Sequence, residues 1–515
     1  MDKLCEWATK WPEKSVALIA ETGESLSYQQ LHERSARLCS YLVKSGLEPG
    51  DTVALLIGNS LSYFELCWAA LRAGLYFASI STHLKAAETQ YILEDSGAKV
   101  LFVSSAYKHL LDEMPRELLA RIEVLFVDGT AAHDIVNRYE RISGAGEVPT
   151  LPDRPDGRDF PYSSGTTGRP KGIRLPLLAQ DAQNRAFNDW VSYFDFNPEM
   201  VYLSPAPLYH AAPSRYCIRT QAAGGTVVVM RKFDAKAALD AIARYRITHS
   251  QWVPTMLIRL LALPEEVRAA ADLSSMQRAV HAAAPCPRDV KLRMLDWWGP
   301  ILWEYYSGSE RNGATVISPQ DWLHRQGSVG RAALGEIHIV SEEDGHECAA
   351  GEEGLVYFAN GPRFEYHNDP DKTAAAYDDR GRSTIGDIGY VDKEGYLFLT
   401  DRRANMIITG GVNVYPQEVE NLLLTHPSVA DVAVVGVPHS DLGEEVVGVV
   451  ELRDPSADGE ALAEELIAFC RAHLSHVKCP RRIDFSSGLP RSETGKLLKR
   501  VVRDQYRERL KAKTV

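Results

Sequence analysis

Through the first half of the chain, apolar runs of strand length alternate with stretches of helical periodicity. No other feature restricts the fold as much. Val53–Ile57 precedes a helical pattern from Tyr63 to Ala73, and Val100–Val103 follows a helical segment around Glu88–Asp95. Val124–Val127 is a further short strand, and Thr226–Met230 leads into helical Ala235–Tyr245 and then strand-like Thr248–Val253. Parallel strands need a long crossover, usually a helix, so this order predicts βαβ units and a large α/β domain of parallel-rich sheets. Ligands of such sheets sit beyond the carboxyl ends of the strands.

From Gly335 the pattern shortens to Glu336–Val340, Leu355–Phe358 and a hairpin from Gly389 to Thr400 around Lys393-Glu394-Gly395, which predicts a β-rich subdomain. Beyond Arg402 a compact α+β unit is expected. Its first helix starts at Pro416, a residue suited to that position, with Glu418 and Glu420 where the helix dipole favours acids. Strands at Val432–Val437 and Val446–Leu452, a helix at Glu460–His473 and a terminal helix after Lys496 follow. At 515 residues the chain exceeds one ordinary core. The expected division is 1–401 for a large domain and 402–515 for a small mobile one, with the boundary at Asp401–Asn405.

Composition removes several classes of function. A chain that is 45% apolar and 24% charged reads as soluble and globular. A net charge of −12 disfavours a nucleic-acid surface, despite the basic patch at Lys496–Arg500. Eight cysteines without a CxxC pair suggest reduced thiols and a cytoplasmic protein. Cys286, between two prolines, has no neighbouring base to activate it. The apolar stretch Phe64 to Ile80 is broken by Glu65 and Arg72 and is too short to cross a bilayer. The start of the chain carries no signal-peptide pattern.

Hydroxyls, glycines and one lysine are concentrated in Tyr162-Ser163-Ser164-Gly165-Thr166-Thr167-Gly168-Arg169-Pro170-Lys171-Gly172. Glycines let backbone N–H groups approach an anion closely, the hydroxyls add donors, and the lysine supplies a compact positive charge. The spacing is not that of a Walker A loop. Alone, such a cluster reads equally as a surface loop. Four segments accompany it in order: Trp303-Glu304-Tyr305-Tyr306-Ser307-Gly308-Ser309-Glu310; Ser383-Thr384-Ile385-Gly386-Asp387-Ile388-Gly389-Tyr390 with Asp401-Arg402; Gly410-Gly411-Val412-Asn413-Val414-Tyr415-Pro416; and Pro490-Arg491-Ser492-Glu493-Thr494-Gly495-Lys496. Together they resemble the motifs of the AMP-forming adenylating superfamily, which includes acyl-CoA synthetases, luciferases and peptide-synthetase adenylation domains. The resemblance runs from Leu26-Ser27-Tyr28 to Lys496.

It implies an acid–thiol ligase that uses ATP, Mg²⁺ and coenzyme A, activates a carboxylic acid as acyl-AMP with release of pyrophosphate, and then forms the thioester. Ser163, Ser164, Gly165, Thr166, Thr167, Gly168 and Lys171 would hold the β- and γ-phosphates, and Glu310 would ligate the metal. Ser309 would contact the α-phosphate, with Tyr306 on adenine and Tyr305 beside it. Ala283, Ala284 and Pro285 would form the opposite wall, Asp387 would accept from the ribose hydroxyls, and Arg402 would support ribose or phosphate. Lys496 would reach the acid carboxylate and α-phosphate during adenylation, and rotation of the small domain would then bring Gly410 and Gly411 to the pantetheine tunnel.

Three positions depart from the usual pattern: Ser307 replaces glycine, Ser309 replaces threonine, and Ala404 stands where the hinge usually carries Asp or Lys. Tyr209 and His210 resemble the segment lining the acyl tunnel, with Ser307 and Gly308 at its floor. The alanines near 283 suggest room for a hydrophobic acid of fatty, steroid-type or aromatic kind. The partners implied are small molecules only, with no nucleic acid and no membrane span; homo-oligomerisation is left open. The alternatives are loading of a separate carrier protein and, further off, luciferase-like oxygen chemistry.

Overall fold

The computed structural model describes residues 3–129, 136–164, 170–178, 190–402, 405–409, 412–414, 416–439, 442–476, 478–491 and 497–512. Five strands form one parallel sheet in the order Glu123–Phe126, Ala98–Val103, Thr52–Leu56, Tyr76–Ser79, Arg158–Asp159. The helix Leu61–Ala73 makes the first crossover, and ten of its thirteen residues are buried. That is why the stretch is apolar nearly all round rather than on one stripe.

The larger sheet has thirteen strands among the described residues. Its parallel centre runs Ser15–Ile19, Thr226–Val229, Val201–Ser204, His249–Trp252, Arg278–His281, Leu302–Ser307. Strand Val201–Ser204 connects onward to its neighbour on one side, Thr226–Val229. Strand His249–Trp252, on its other side, connects onward away from it. The chain thus reverses direction across the sheet between these two strands, the kind of place beyond whose carboxyl ends ligands of such sheets bind. Pro207–His210 follows the first of them.

The β-rich character begins earlier than Gly335. Leu302–Ser307 already pairs antiparallel with Ala314–Ile317, and antiparallel pairing continues through Ser328–Leu334, Leu397–Arg402, Asp387–Val391 and Gly354–Ala359 to Glu336–Val340. Antiparallel neighbours need only a short loop. The six residues Gly308–Gly313 therefore both reverse the chain and carry the Ser309-Glu310 motif. From Ile407 a separate five-stranded sheet is built, with Gly443–Leu452 next to Val429–His439. Val432 and Val434 face one way, toward Val419, Leu423 and Leu466; Ala433 and Val435 face the other, toward Val502 and Tyr506. Period-two alternation thus covers both faces of that sheet with helices.

Candidate active site

The glycine/threonine segment frames a hairpin. Tyr162–Ser164 pairs antiparallel with Pro170–Arg174, and Ser163 lies opposite Lys171. Gly165, Thr166, Thr167 and Gly168 lie outside the described residues, as do Ala404, Gly410, Gly411 and Lys496. The backbones of Ser164 and Arg402 are described; Arg402 is paired with Asp387.

Lys171 is half-buried, and its ammonium lies 5.6 Å from the ring centre of Tyr366. The hydroxyl of that same tyrosine donates to Oε1 of Glu310 at 3.0 Å. Lys372, on the helix Pro370–Ala375, approaches the ring as well, at 5.0 Å. Burial, and then the like charge of Lys372, bring the Lys171 ammonium down to about 8, against the pull of Glu310 and Asp369. Two crowded cations beside one carboxylate make a place where a polyanion is welcome and a metal has an oxygen ligand. A Cβ at Gly308 would meet Oε2 of Glu310 at 2.7 Å and Ile385 at 2.9 Å, so a larger residue there would push the Glu310 carboxylate aside.

Tyr306 is next to last in the strand Leu302–Ser307, and its hydroxyl donates to Oδ2 of Asp387 at 2.5 Å. Asp387 is 3% exposed. Two motifs distant in sequence therefore share one hydrogen bond. Ser307 donates from Oγ to the Gly313 carbonyl at 2.7 Å and pins the turn that follows. Ala283 and Pro285 are exposed just beyond the strand Arg278–His281, which lies beside the Tyr306 strand. Ala283 holds a φ of 74°, a left-handed conformation costly for a residue with a Cβ.

Tyr305 does not join this group. Successive side chains of a strand point to opposite faces, so it turns away from Tyr306 into the core. There its hydroxyl accepts from Gln251 at 2.8 Å, and its ring packs on Trp190, Phe194 and Tyr216. Tyr209 is buried, and His210 lies 4.6 Å from it, ring centre to ring centre. Burial, and then His83, push the His210 imidazole down to about 4, so it is neutral near neutral pH. Its Nε2 has no hydrogen-bond partner among the described residues. Cys286 is half-buried rather than buried, and desolvation pushes its thiol up.

Comparison with known proteins gives the same assignment over the whole length. Residues 4–362 match the AMP-binding enzyme family and 418–496 match the AMP-binding enzyme C-terminal domain. The chain belongs to the AMP-binding enzyme family. It is an enzyme of the acid–thiol ligase type. This AMP-binding enzyme is 30% identical over 500 residues to the long-chain-fatty-acid–CoA ligase FadD13 of Mycobacterium tuberculosis, with 97% of each chain covered. It is 32% identical over 504 residues to the fatty acid–[acyl-carrier-protein] ligase ScoC of Streptomyces coeruleorubidus, covering 95% of this chain and 93% of that one. Among solved structures it resembles ATP-bound MatB from Rhodopseudomonas palustris, with a TM-score of 0.83, 27% identity and 99% of both chains covered.

Sequence reasoning missed Tyr366 and Lys372. Neither belongs to a glycine-rich or acidic motif, and each reaches the site only because the strand Glu365–Tyr366 pairs with Pro170–Arg174. A tyrosine on a two-residue strand and a lysine six positions on, inside a short helix, carry no local signal of a phosphate site.

Proposed function

We propose that this AMP-binding enzyme activates a carboxylic acid with an apolar body, of fatty, steroid-type or aromatic kind, and passes it to coenzyme A. The meeting of Lys171, Lys372 and Glu310 around Tyr366 carries this reading. It supports an anion-plus-metal site beside Ser309, on the side of the turn that Tyr306 and Asp387 share. The triphosphate would lie along the lysines and Mg²⁺ on Glu310. The ribose would lie on Asp387, and adenine between Tyr306 and Ala283–Pro285. Bound there, the metal would neutralise phosphate charge as pyrophosphate leaves. The protein's part is positioning and electrostatic stabilisation of charge that builds on the α-phosphorus.

We place the boundary between the lobes at 401–402 and assign Lys496 to the first half-reaction and Gly410–Gly411 to the second. Arg402 would support the ribose or a phosphate at the junction. Eight free cysteines fit a cytoplasmic protein. Among the described residues no helix is long and apolar enough to cross a membrane. The relative named as a carrier-protein ligase favours one second reading, in which a phosphopantetheinyl carrier replaces free coenzyme A.

The test is release of pyrophosphate and AMP from ATP and Mg²⁺ across a panel of acids, with and without coenzyme A. Formation of AMP and thioester supports the proposal. Acyl-AMP that persists in the presence of coenzyme A moves the assignment to carrier loading, and ADP as product rejects both.

A further inference from the structure

Behind the Gly308–Gly313 turn lies a group of guanidinium side chains that the chemistry above does not use. Arg215 and Arg219 stand four residues apart on the helix Ala211–Ala222, hence on one face, one and two turns beyond His210. The Arg215 side chain is 12% exposed; it donates from Nε to Asp159 at 2.9 Å and from Nη2 to the carbonyl of Ser309 at 3.3 Å. Arg219 stacks its guanidinium over Trp190 at 4.9 Å. Arg311 is in the turn itself. Arg158, beside Asp159, is buried and donates to the Pro176 carbonyl.

The charges in this group do not cancel. Asp159 is the carboxylate acting on Arg158, Arg219 and Arg311 as well as on Arg215. Neither Arg219 nor Arg311 forms an ion pair among the described residues. Burial first, and then Arg215, bring Arg219 down to about 10 and hold Arg311 well below its ordinary range. Arg219 and Arg311 are half-buried, and guanidinium groups are not discharged in proteins, so the group stays cationic and suits an anion. Arg311 also holds a φ of 55°, left-handed backbone that an arginine adopts only at a cost. The hydroxyls of Tyr202 and Tyr216, both buried, have no hydrogen-bond partner among the described residues. Their rings stack at 5.7 Å, and Tyr216 stacks on Tyr305 at 6.3 Å.

These groups lie on the helix that follows His210 and on the turn that carries Ser309, which is the acyl side of the proposed site. We propose that the acid carries a second carboxylate at the far end of its apolar body, bound by Arg215, Arg219 and Arg311. The half-buried ring of Trp190, beneath the Arg219 guanidinium, contacts the spacer, and the arginines meet its end with charge. This inference rests on the ligase reading and narrows its substrate.

Its test measures kcat/KM of the full-length enzyme, with ATP, Mg²⁺ and coenzyme A, on acids paired by spacer: hexanoate with adipate, octanoate with suberate, benzoate with terephthalate. The diacid of at least one pair is expected to be favoured by about tenfold to a hundredfold, the worth of a charge-assisted contact. Arg219→Met and Arg311→Gly are each expected to cut that preference about tenfold, chiefly through KM of the diacid. The glycine variant also relieves the left-handed backbone, so misfolding does not confound it. Monoacids favoured in every pair overturn the proposal and leave the ligase reading standing. A diacid preference that survives both variants, each with an unchanged melting temperature, overturns the role of the arginines. Absence of pyrophosphate with every acid removes the ligase reading and this one with it.

Discussion

The lysine pair Lys171–Lys372 and the arginine group around Arg219 both crowd like charges near the turn at Gly308–Gly313, and they relieve the crowding differently. A lysine can give up its proton: burial and its neighbour bring Lys171 down to about 8, within reach of working pH. An arginine cannot, so that side stays cationic and favours a counter-anion. In the proposed site the phosphate end would thus be tunable by pH, whereas the acyl end would select by chemistry, with a selectivity insensitive to pH across the neutral range.

The largest expected effect belongs to Lys496. Lys496→Ala should slow acyl-adenylate formation about tenfold to a hundredfold, the worth of one charge-assisted hydrogen bond in the transition state. It should spare thioester formation from supplied acyl-AMP. Single-turnover measurement of each half-reaction checks this, and equal loss in both would show that Lys496 does not belong to adenylation alone.

Next comes Lys372→Met, which removes the like charge beside Lys171. The KM for ATP should rise about tenfold. In the native enzyme that KM should be flat below about pH 8 and climb above it as Lys171 loses its proton. The sign follows from a depressed pKa: the charged form that binds phosphate prevails only on the acid side. In the variant the climb should begin at higher pH, because one cause of the depression is gone while burial remains. A limb that stays in place would mean that Lys372 is too far away to matter.

Smaller still is the expected effect of pH on diacid preference. The ratio of kcat/KM for adipate over hexanoate should change less than about twofold between pH 6.5 and 8.5, where guanidinium stays protonated. A preference that falls along with ATP affinity would merge the two clusters into one.

The smallest concerns His210. With its imidazole held at about 4, no inflection from this group should appear in kcat/KM for the acid between pH 5.5 and 7.5. His210→Gln should keep the shape of that profile. An inflection near 6.5 lost in the variant would show that the side chain titrates and faces water.

Much of the architecture could be read from local pattern. The helix Ala235–Tyr245 has the expected bounds because Asp234 caps it, accepting from the Ala237 N–H at 2.8 Å. The helix Glu460–His473 also has its expected bounds. Strand ends moved by a residue or more, as with Thr52–Leu56 in place of Val53–Ile57. A hydrophobic run marks what is buried; the hydrogen-bond ladder decides where pairing stops. The motif sets both adjacent tyrosines, Tyr305 and Tyr306, at the nucleotide. Strand register sent Tyr306 to Asp387 and Tyr305 into the aromatic core.

Taken alone, the order of motifs determined the family, the adenylating chemistry and the two-lobed plan, because backbone-approach glycines, a metal carboxylate and phosphate cations must be spelled out at fixed places. Only tertiary structure brought in Tyr366 and Lys372 and set Arg215, Arg219, Arg311 and Asp159 side by side. Those residues come from two strands, two helices and a turn, and their meaning lies in a sum of charges over short distances. A linear sequence gives the signs of the charges; burial and proximity decide which of them need a partner.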